Sequence, residues 1–527
     1  MNIKNLLFLI FLSFSFFSYA QEAALQTITE NDLEAHLEFI AGDNMQGREF
    51  FTDVPGLELT AEYLKAQCTK MGLKPGFESY FQPIEMITVN SDPEKSVFKV
   101  NADNGAETYS TKDIFWTGGR DESDTITGEM VFAGYCWYDE ETHYNDTKEM
   151  DLKGKIVLAM TRNPEMVKKG DNPVLQIETK KMSKALMGGA KALVLVNDPA
   201  SPDKDFINGL QKHTTGGSLK MKEETSGNLS PPVVPSFLIF GAEELANEML
   251  AGSGKTLAEL QMEINDSEEP KSFKINQLKA EVQLIKKKEE IIGRNIVAVV
   301  EGSDPVLKNE CIVFSAHYDH LGVDDDGAVY NGADDNGSGT VALLEIAEAF
   351  QSLETKPKRS IVFVWVTAEE KGLFGSNYYS QHPAFPLDKT LVDINLDMVG
   401  RSAKQELVKV TSPMESLAGP NGIYIISGNQ SSELTNISNE VCDELGLIPS
   451  DALTRPFLKR SDYYHFYKNG IPILGLSTGL HKDYHKTTDD LEKIDYTKMK
   501  RVAQYAFRVA YKIANQDERI VVDKPVE

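Results

Sequence analysis

A largely parallel α/β sheet with helices on both faces is predicted for the second half of this chain, on three observations. Short apolar runs of buried-strand type recur at 296–300, 312–314, 361–366, 391–396 and 472–476. Helical patterns fall between or after them: 339–353 has Val341, Leu344, Ile346 and Ala347 to bury, and 498–513 forms one more helix. Strands that alternate with helices in this way pair in parallel and need a helical layer on each side.

The rest of the chain reads differently. With 527 residues it is too long for one simple core, so two domains are expected. Residues 30–82 are helical, with Leu33, Leu37 and Ile40 on one face and a second helix through Leu59, Tyr63, Leu64 and Cys68. That helix meets a Gly/Pro stop at 71–76, and Gly47-Arg48-Glu49 lies in the loop between the two helices. From 90 to 287 strands such as 130–134, 155–160 and 233–239 alternate with loops, and 182–197 reads as helix, glycine stop and buried strand. The polar stretch 203–230 reads as an exposed loop, and the charged runs 268–271 and 286–290 as a return linker. The expected division is 1–20, 21–90, 91–287 and 288–527, with the third segment inserted between two parts of one domain.

Residues 1–20 read as a targeting segment: Lys4, an apolar run over 6–17, and small residues at Ser18 and Ala20 ahead of a cleavage point before Gln21. The run is shorter than the about 20 residues that span a bilayer. Export to the periplasm or outside the cell is expected, without stable membrane insertion. The net charge of −26 argues against nucleic acid as a partner, because phosphates repel such a surface. The four cysteines show no CxxC or zinc-site spacing, and Cys311 reads as a buried small hydrophobe.

The chemistry sits at strand ends. His317 follows the 312–314 run, Glu369-Glu370 follow 361–366, and Asp397 follows 391–396. His485 comes after the 472–476 strand and a loop, and Asp335 lies in a glycine-flanked turn before the 339–353 helix. In open parallel sheets such strand ends converge on one rim. Two His and three carboxylates suit zinc, and they exceed what one tetrahedral ion needs. One shared carboxylate solves this by bridging two ions, between which a water is acidified toward neutrality. Glu369 is then free to act as general base, and Asp319 is placed to orient His317.

Taken together, the segments from His317-Tyr-Asp319 through Gly-Ala-Asp334-Asp335-Asn, Glu369-Glu370 and Asp397 to Tyr484-His485-Lys-Thr-Thr-Asp489 resemble the M28 family of zinc exopeptidases. The resemblance implies a zinc-exopeptidase sandwich binding two Zn2+ per chain. His317 and Asp397 would hold one ion, Glu370 and His485 the other, and Asp335 would bridge them. Glu369 matches the family's general base, and Tyr484 the tyrosine that some members use to stabilise an oxyanion. Residues 91–287 resemble, more loosely, a β-rich α+β protease-associated (PA) domain, through 151–159 and 185–197. One departure stands out: Ser461-Asp462-Tyr463 replaces the frequent Ser-Asp-His.

The resemblance implies an aminopeptidase acting on peptides. Three alternatives are a carboxypeptidase or dipeptidase of glutamate-carboxypeptidase type, a glutaminyl cyclase, and a non-catalytic receptor on the same scaffold. The first needs a basic pocket for a substrate carboxylate, for which Arg401, Arg455 and Arg460 are candidates. The cyclase uses a single zinc, and a receptor loses ligands; the full ligand set counts against both.

Overall fold

The computed structural model describes residues 21–524 except 93, 103–104, 111–113, 118–122, 168–173, 201–217, 223–237, 242, 325 and 406–414. The targeting segment 1–20, nearly all of the polar stretch 203–230, and 233–237 of one expected strand lie outside the described residues. Two compact units are present: one comprises the described residues up to Ile84 and from Ile292 onward, the other Glu85–Ile291.

The first unit is built on a sheet of β1 (Lys286–Val300), β2 (Cys311–His317), β3 (Ser360–Val366), β4 (Thr390–Leu396), β5 (Gly422–Ile426), β6 (Ile448–Ser450) and β7 (Ile473–Ser477). Their spatial order is β6-β5-β7-β4-β2-β3-β1. The pairs β7–β4, β4–β2 and β2–β3 are parallel, whereas β1 joins β3 and β5 joins β7 antiparallel. The parallel core is the expected one. Its strands are buried on both faces, which is why they read as continuous apolar runs.

Alternate residues of each strand enter two different cores. Ile312, Phe314 and Ala316 face one side with α1 (Glu30–Ile40), α2 (Gly56–Met71), α3 (Gly339–Ser352), α5 (Ser432–Leu445) and α7 (Tyr496–Asn515). Cys311 and Val313 face the other with Tyr379 of α4 (Phe374–Gln381) and Phe466 of α6 (Tyr463–Lys468). Helices on both faces follow directly from this period of two.

Local signals set the helix ends. Thr29 caps α1 by accepting the N–H of Asp32. Gly72, with φ of 74°, closes α2 in the left-handed conformation, as the Gly/Pro stop predicts.

Three readings need correction. α3 is not one-sided: Leu343, Glu345 and Ala349 are buried along with the expected stripe, because α1, α2 and α7 pack over it while the sheet lies beneath. The charged run 286–290 does lie where the chain returns to the first unit, but it is the opening of β1 rather than irregular linker; its Lys and Glu side chains are largely exposed, so charge does not oppose the strand. β5, α5, β6 and α6 were not read from the sequence at all.

The second unit holds a mixed eight-stranded sheet. Asp124–Ala133, Ile156–Met160, Ala192–Val196 and Leu238–Gly241 run parallel at its centre. Val97–Ala102, Ser272–Leu284 and Ile114–Thr117 add antiparallel pairs. Its interior contains the buried ion pair Lys181–Glu178, at 3.1 Å. All four cysteines are free and buried. Among the described residues no helix is long and apolar enough to cross a membrane.

Candidate metal centre

The carboxyl ends of β2, β3, β4 and β7 lie along one edge of the parallel sheet, and the predicted residues meet there. His317 is the last residue of β2. Its Nε2 lies 3.4 Å from Asp335 Oδ1, 3.6 Å from Asp397 Oδ1 and 3.9 Å from Glu369 Oε2. His485 Nε2 lies 3.1 Å from Asp335 Oδ2 and 3.2 Å from Glu370 Oε2. Asp335 therefore stands between the two histidines and turns one carboxylate oxygen to each.

Among the described residues two groups have ligand atoms close enough to hold an ion: His317 with Glu369 and Asp397, and His320 with Asp335 and Glu370. His320 was missed. It is buried, and its Nδ1 lies 2.9 Å from Glu370 Oε1, the oxygen that does not face His485. Its place immediately after Asp319 was the available signal.

The donor set fits divalent cations. The Nε2 of His320 and the Oδ2 of Asp335 are buried without a hydrogen-bond partner. Asp335 Oδ2 meets His485 Nε2 at 3.1 Å, an approach that needs a proton or a cation between the two atoms. The electrostatics point the same way. Burial disfavours a charged Asp335, yet His317 and His485 hold it well below the ordinary carboxylate range. Burial and Asp335 oppose ionisation of Glu370, but His320 and His485 bring it down to about 2. Burial opposes a charge on His485, and the same carboxylates raise it to about 10. The histidines thus supply the positive charge that a cation brings in their place.

Glu369 behaves differently from its neighbour. Burial, with repulsion from Glu370, Asp462 and Asp397, raises it well above the usual range despite the attraction of His317. Its affinity for a proton is thus raised, where that of Glu370 is lowered.

Asp319 accepts the backbone N–H groups of Glu369 and Glu370 at 3.1 and 3.2 Å. Its own carbonyl oxygen, 3.2 Å from Nδ1, is the nearer contact of the His317 ring; its carboxylate is 3.8 Å away. Burial pushes the Asp319 carboxyl up to about 7, with His317 opposing and Glu370 adding to it. Tyr484 stacks on the His485 ring at 3.8 Å between centroids. Burial and the surrounding carboxylates raise its phenol, so the proton stays available for donation.

A further layer ties the loops together. Asp489 accepts the N–H groups of both Asp334 and Asp335 at 3.0 Å. Asp334 faces away from the cluster: its Oδ1 accepts the N–H of Gly400 and its Oδ2 meets Nε2 of His481. Arg401 binds Asp483 at 2.9 Å and Asp489 at 3.5 Å. Arg48, fully buried, donates to the carbonyls of Ile40, Tyr318, Asn331 and Gly332, clamping the loops that carry His317 and Asp335.

The cluster opens into a pocket lined also by Ile426, Leu453, Phe457, Arg460, Tyr463 and Leu476. Tyr463, the residue that departs from Ser-Asp-His, is part of this wall. Its hydroxyl donates to the carbonyl of Phe457 at 2.6 Å, so it shapes the pocket rather than offering a ring nitrogen to it.

Residues 295–510 match the model of Peptidase family M28. Aminopeptidase Y of Saccharomyces cerevisiae is 29% identical over 218 residues, 38% of this chain and 35% of that protein. A probable leucine aminopeptidase 2 of Aspergillus oryzae is 33% identical over 190 residues, 35% of this chain and 33% of that protein. The alignments thus span about a third of the length of these curated relatives. Among solved structures, an aminopeptidase from Aneurinibacillus sp. strain AM-1 superposes with a TM-score of 0.53 at 18% identity, covering 96% of this chain and 98% of that one. The zinc aminopeptidase BSAP from Bacillus subtilis gives 0.50 at 18% identity, over 92% and 95%. The fold is thus shared over nearly the whole chain. Residues 295–510, the part of the chain that matches the model of peptidase family M28, carry every member of both clusters.

Proposed function

We propose that this chain is a dizinc aminopeptidase that removes N-terminal residues from peptides. The observation that carries the reading is Asp335, with one carboxylate oxygen toward His317 and the other toward His485. In this reading His317 and Asp397 would hold one zinc and Glu370 and His485 the other, with Asp335 offering one oxygen toward each pair. His320 occupies the second oxygen of Glu370 and fixes that carboxylate from behind.

Bound zinc supplies Lewis acidity, polarising the scissile carbonyl and lowering the pKa of water from 15.7 toward about 7. The remaining work falls to the side chains. Glu369 takes a proton at its carboxylate and passes it to the leaving amine. Asp319 holds Glu369 in place through the backbone N–H it accepts. Tyr484 donates its phenol to the oxygen on which negative charge develops. The apolar wall of Ile426, Leu453, Phe457 and Leu476 receives a substrate side chain.

We read the Glu85–Ile291 unit as the inserted PA-like domain, on its mixed sheet and on the 151–159 and 185–197 segments, and 1–20 as the export signal. Glu369→Ala should lower turnover by about 10²-fold or more while zinc stays near two per chain, read by peptide hydrolysis and metal analysis side by side. Unchanged turnover would remove Glu369 as the base. A digest of a peptide library by zinc-loaded protein identifies which terminus is cut.

A further inference from the structure

We propose that Arg460 reads a carboxylate on the substrate, so that the pocket beside the metal cluster selects anionic peptides. This rests on the aminopeptidase reading for the site, and goes beyond it to the charge of the substrate. Arg460 is the single Lys or Arg among the residues lining the pocket. Its guanidinium carbon stands 5.3 Å from the centroid of Phe457, another wall residue, so the ring face steadies the cation at the pocket surface. The turn beneath it is held twice through one carbonyl: Phe457 O accepts the N–H of Arg460 at 2.9 Å and the hydroxyl of Tyr463 at 2.6 Å. The side chain is thus presented by a fixed turn.

Two other arginines near the site are spent and a third lies outside the pocket. Arg48 is buried against four carbonyl groups. Arg401 is buried against Asp483 and Asp489. Arg455 is exposed and outside the pocket lining. Arg460 is exposed, and among the described residues it has no ion pair, in a chain with 80 acidic residues against 54 basic ones. On so acidic a protein, a cation left without a carboxylate partner beside a reaction site is available for one that arrives with the substrate. A guanidinium meets a carboxylate through two parallel N–H donors, a geometry a point charge does not match.

Two substrate groups have this chemistry: the acidic side chain of the N-terminal residue, and the C-terminal carboxylate of a short peptide. Zinc-loaded full-length protein and its Arg460→Gln and Arg460→Lys variants are assayed on Leu-Leu free acid, Leu-Leu amide and Glu-Leu amide. The expected result is that the kcat/KM ratio of an anionic substrate to Leu-Leu amide falls about 5- to 10-fold in Arg460→Gln, with part of it kept by Arg460→Lys. A fall confined to Leu-Leu free acid identifies the C-terminal carboxylate, and one confined to Glu-Leu amide the side chain. An unchanged ratio overturns the proposal. If the wild type hydrolyses none of the three, the peptidase reading fails separately, and calorimetric binding of the same peptides decides this one. Weaker binding of the anionic peptides alone by Arg460→Gln sustains it, and equal binding overturns it.

Discussion

His465 shows how burial of a single residue writes a pH dependence into the fold. It sits in α6, and burial, with Lys468 nearby, lowers its imidazole from 6.5 to about 4. The neutral form is favoured in the native state, while the unfolded chain still protonates near 6.5. Its contribution to stability is therefore full above 6.5 and is lost as the pH falls through about 4. His465→Gln should flatten the fall of the urea midpoint across that window relative to wild type; parallel profiles would count against this assignment. The same scale separates the two adjacent glutamates of the metal cluster. Glu370 is offered two histidines and is held below the ordinary carboxylate range, whereas Glu369 is buried among carboxylates and is held above it. Nothing in the dipeptide distinguishes them; their neighbours do.

At the scale of elements, the site depends on loops rather than on the strands that carry them. The turn 43–48 before α2 passes so close to the loop after β2 that a Cβ on Gly47 would lie 2.2 Å from the carbonyl oxygen of Gly322. Gly47 also takes φ of 67°, which glycine adopts without strain. This lets Arg48 reach into the core, where it satisfies four carbonyl groups in the loops of His317 and Asp335. Burial lowers its guanidinium to about 10 even with Asp319, Asp335, Asp489 and Glu370 nearby, yet it stays protonated at neutral pH. Arg48→Met strands those carbonyl groups. It should destabilise the first unit by about 3 kcal/mol or more, measured by chemical denaturation of the full chain. Zinc affinity should fall with it, because the loops are no longer held. A loss below about 0.5 kcal/mol would mean the clamp is dispensable.

At the scale of the molecule, the metal cluster concentrates carboxyl groups beyond what its histidines offset. Asp335, Glu369, Glu370, Asp397, Asp319 and Asp462 crowd one edge of the sheet, and burial pushes the Asp462 carboxyl up to about 7, with Asp397 and Glu370 adding to it and His317 opposing. Binding of zinc to the native state alone adds stability by mass action, about 2.7 kcal/mol when the free ion is at 100 times its Kd. Removing metal with a chelator should lower the melting temperature by several degrees, and zinc should restore it. An unchanged melting temperature would mean that no ion is held at this edge.

The sequence by itself determined the strand cores, because residues buried on both faces must be continuously apolar, and it determined the ligand types, because imidazole and carboxylate at strand ends have few other uses together. His317, Glu370 and Asp397 were legible for that reason, each following an apolar run, while Asp335 was read from its glycine-flanked turn and His485 from the loop beyond 472–476. Only the tertiary structure decided the rest. His320 looked like one more polar residue until the loop after β2 folded back to place it against Glu370. Asp319 was read as a partner of His317, but its carboxylate is closer to the backbone of the glutamate loop. β5, β6 and α6 were too short for periodicity to reveal, yet α6 supplies Tyr463 to the pocket wall. The role of Arg460 depends on which arginines find acidic partners, and that is settled by distances between segments far apart in the chain.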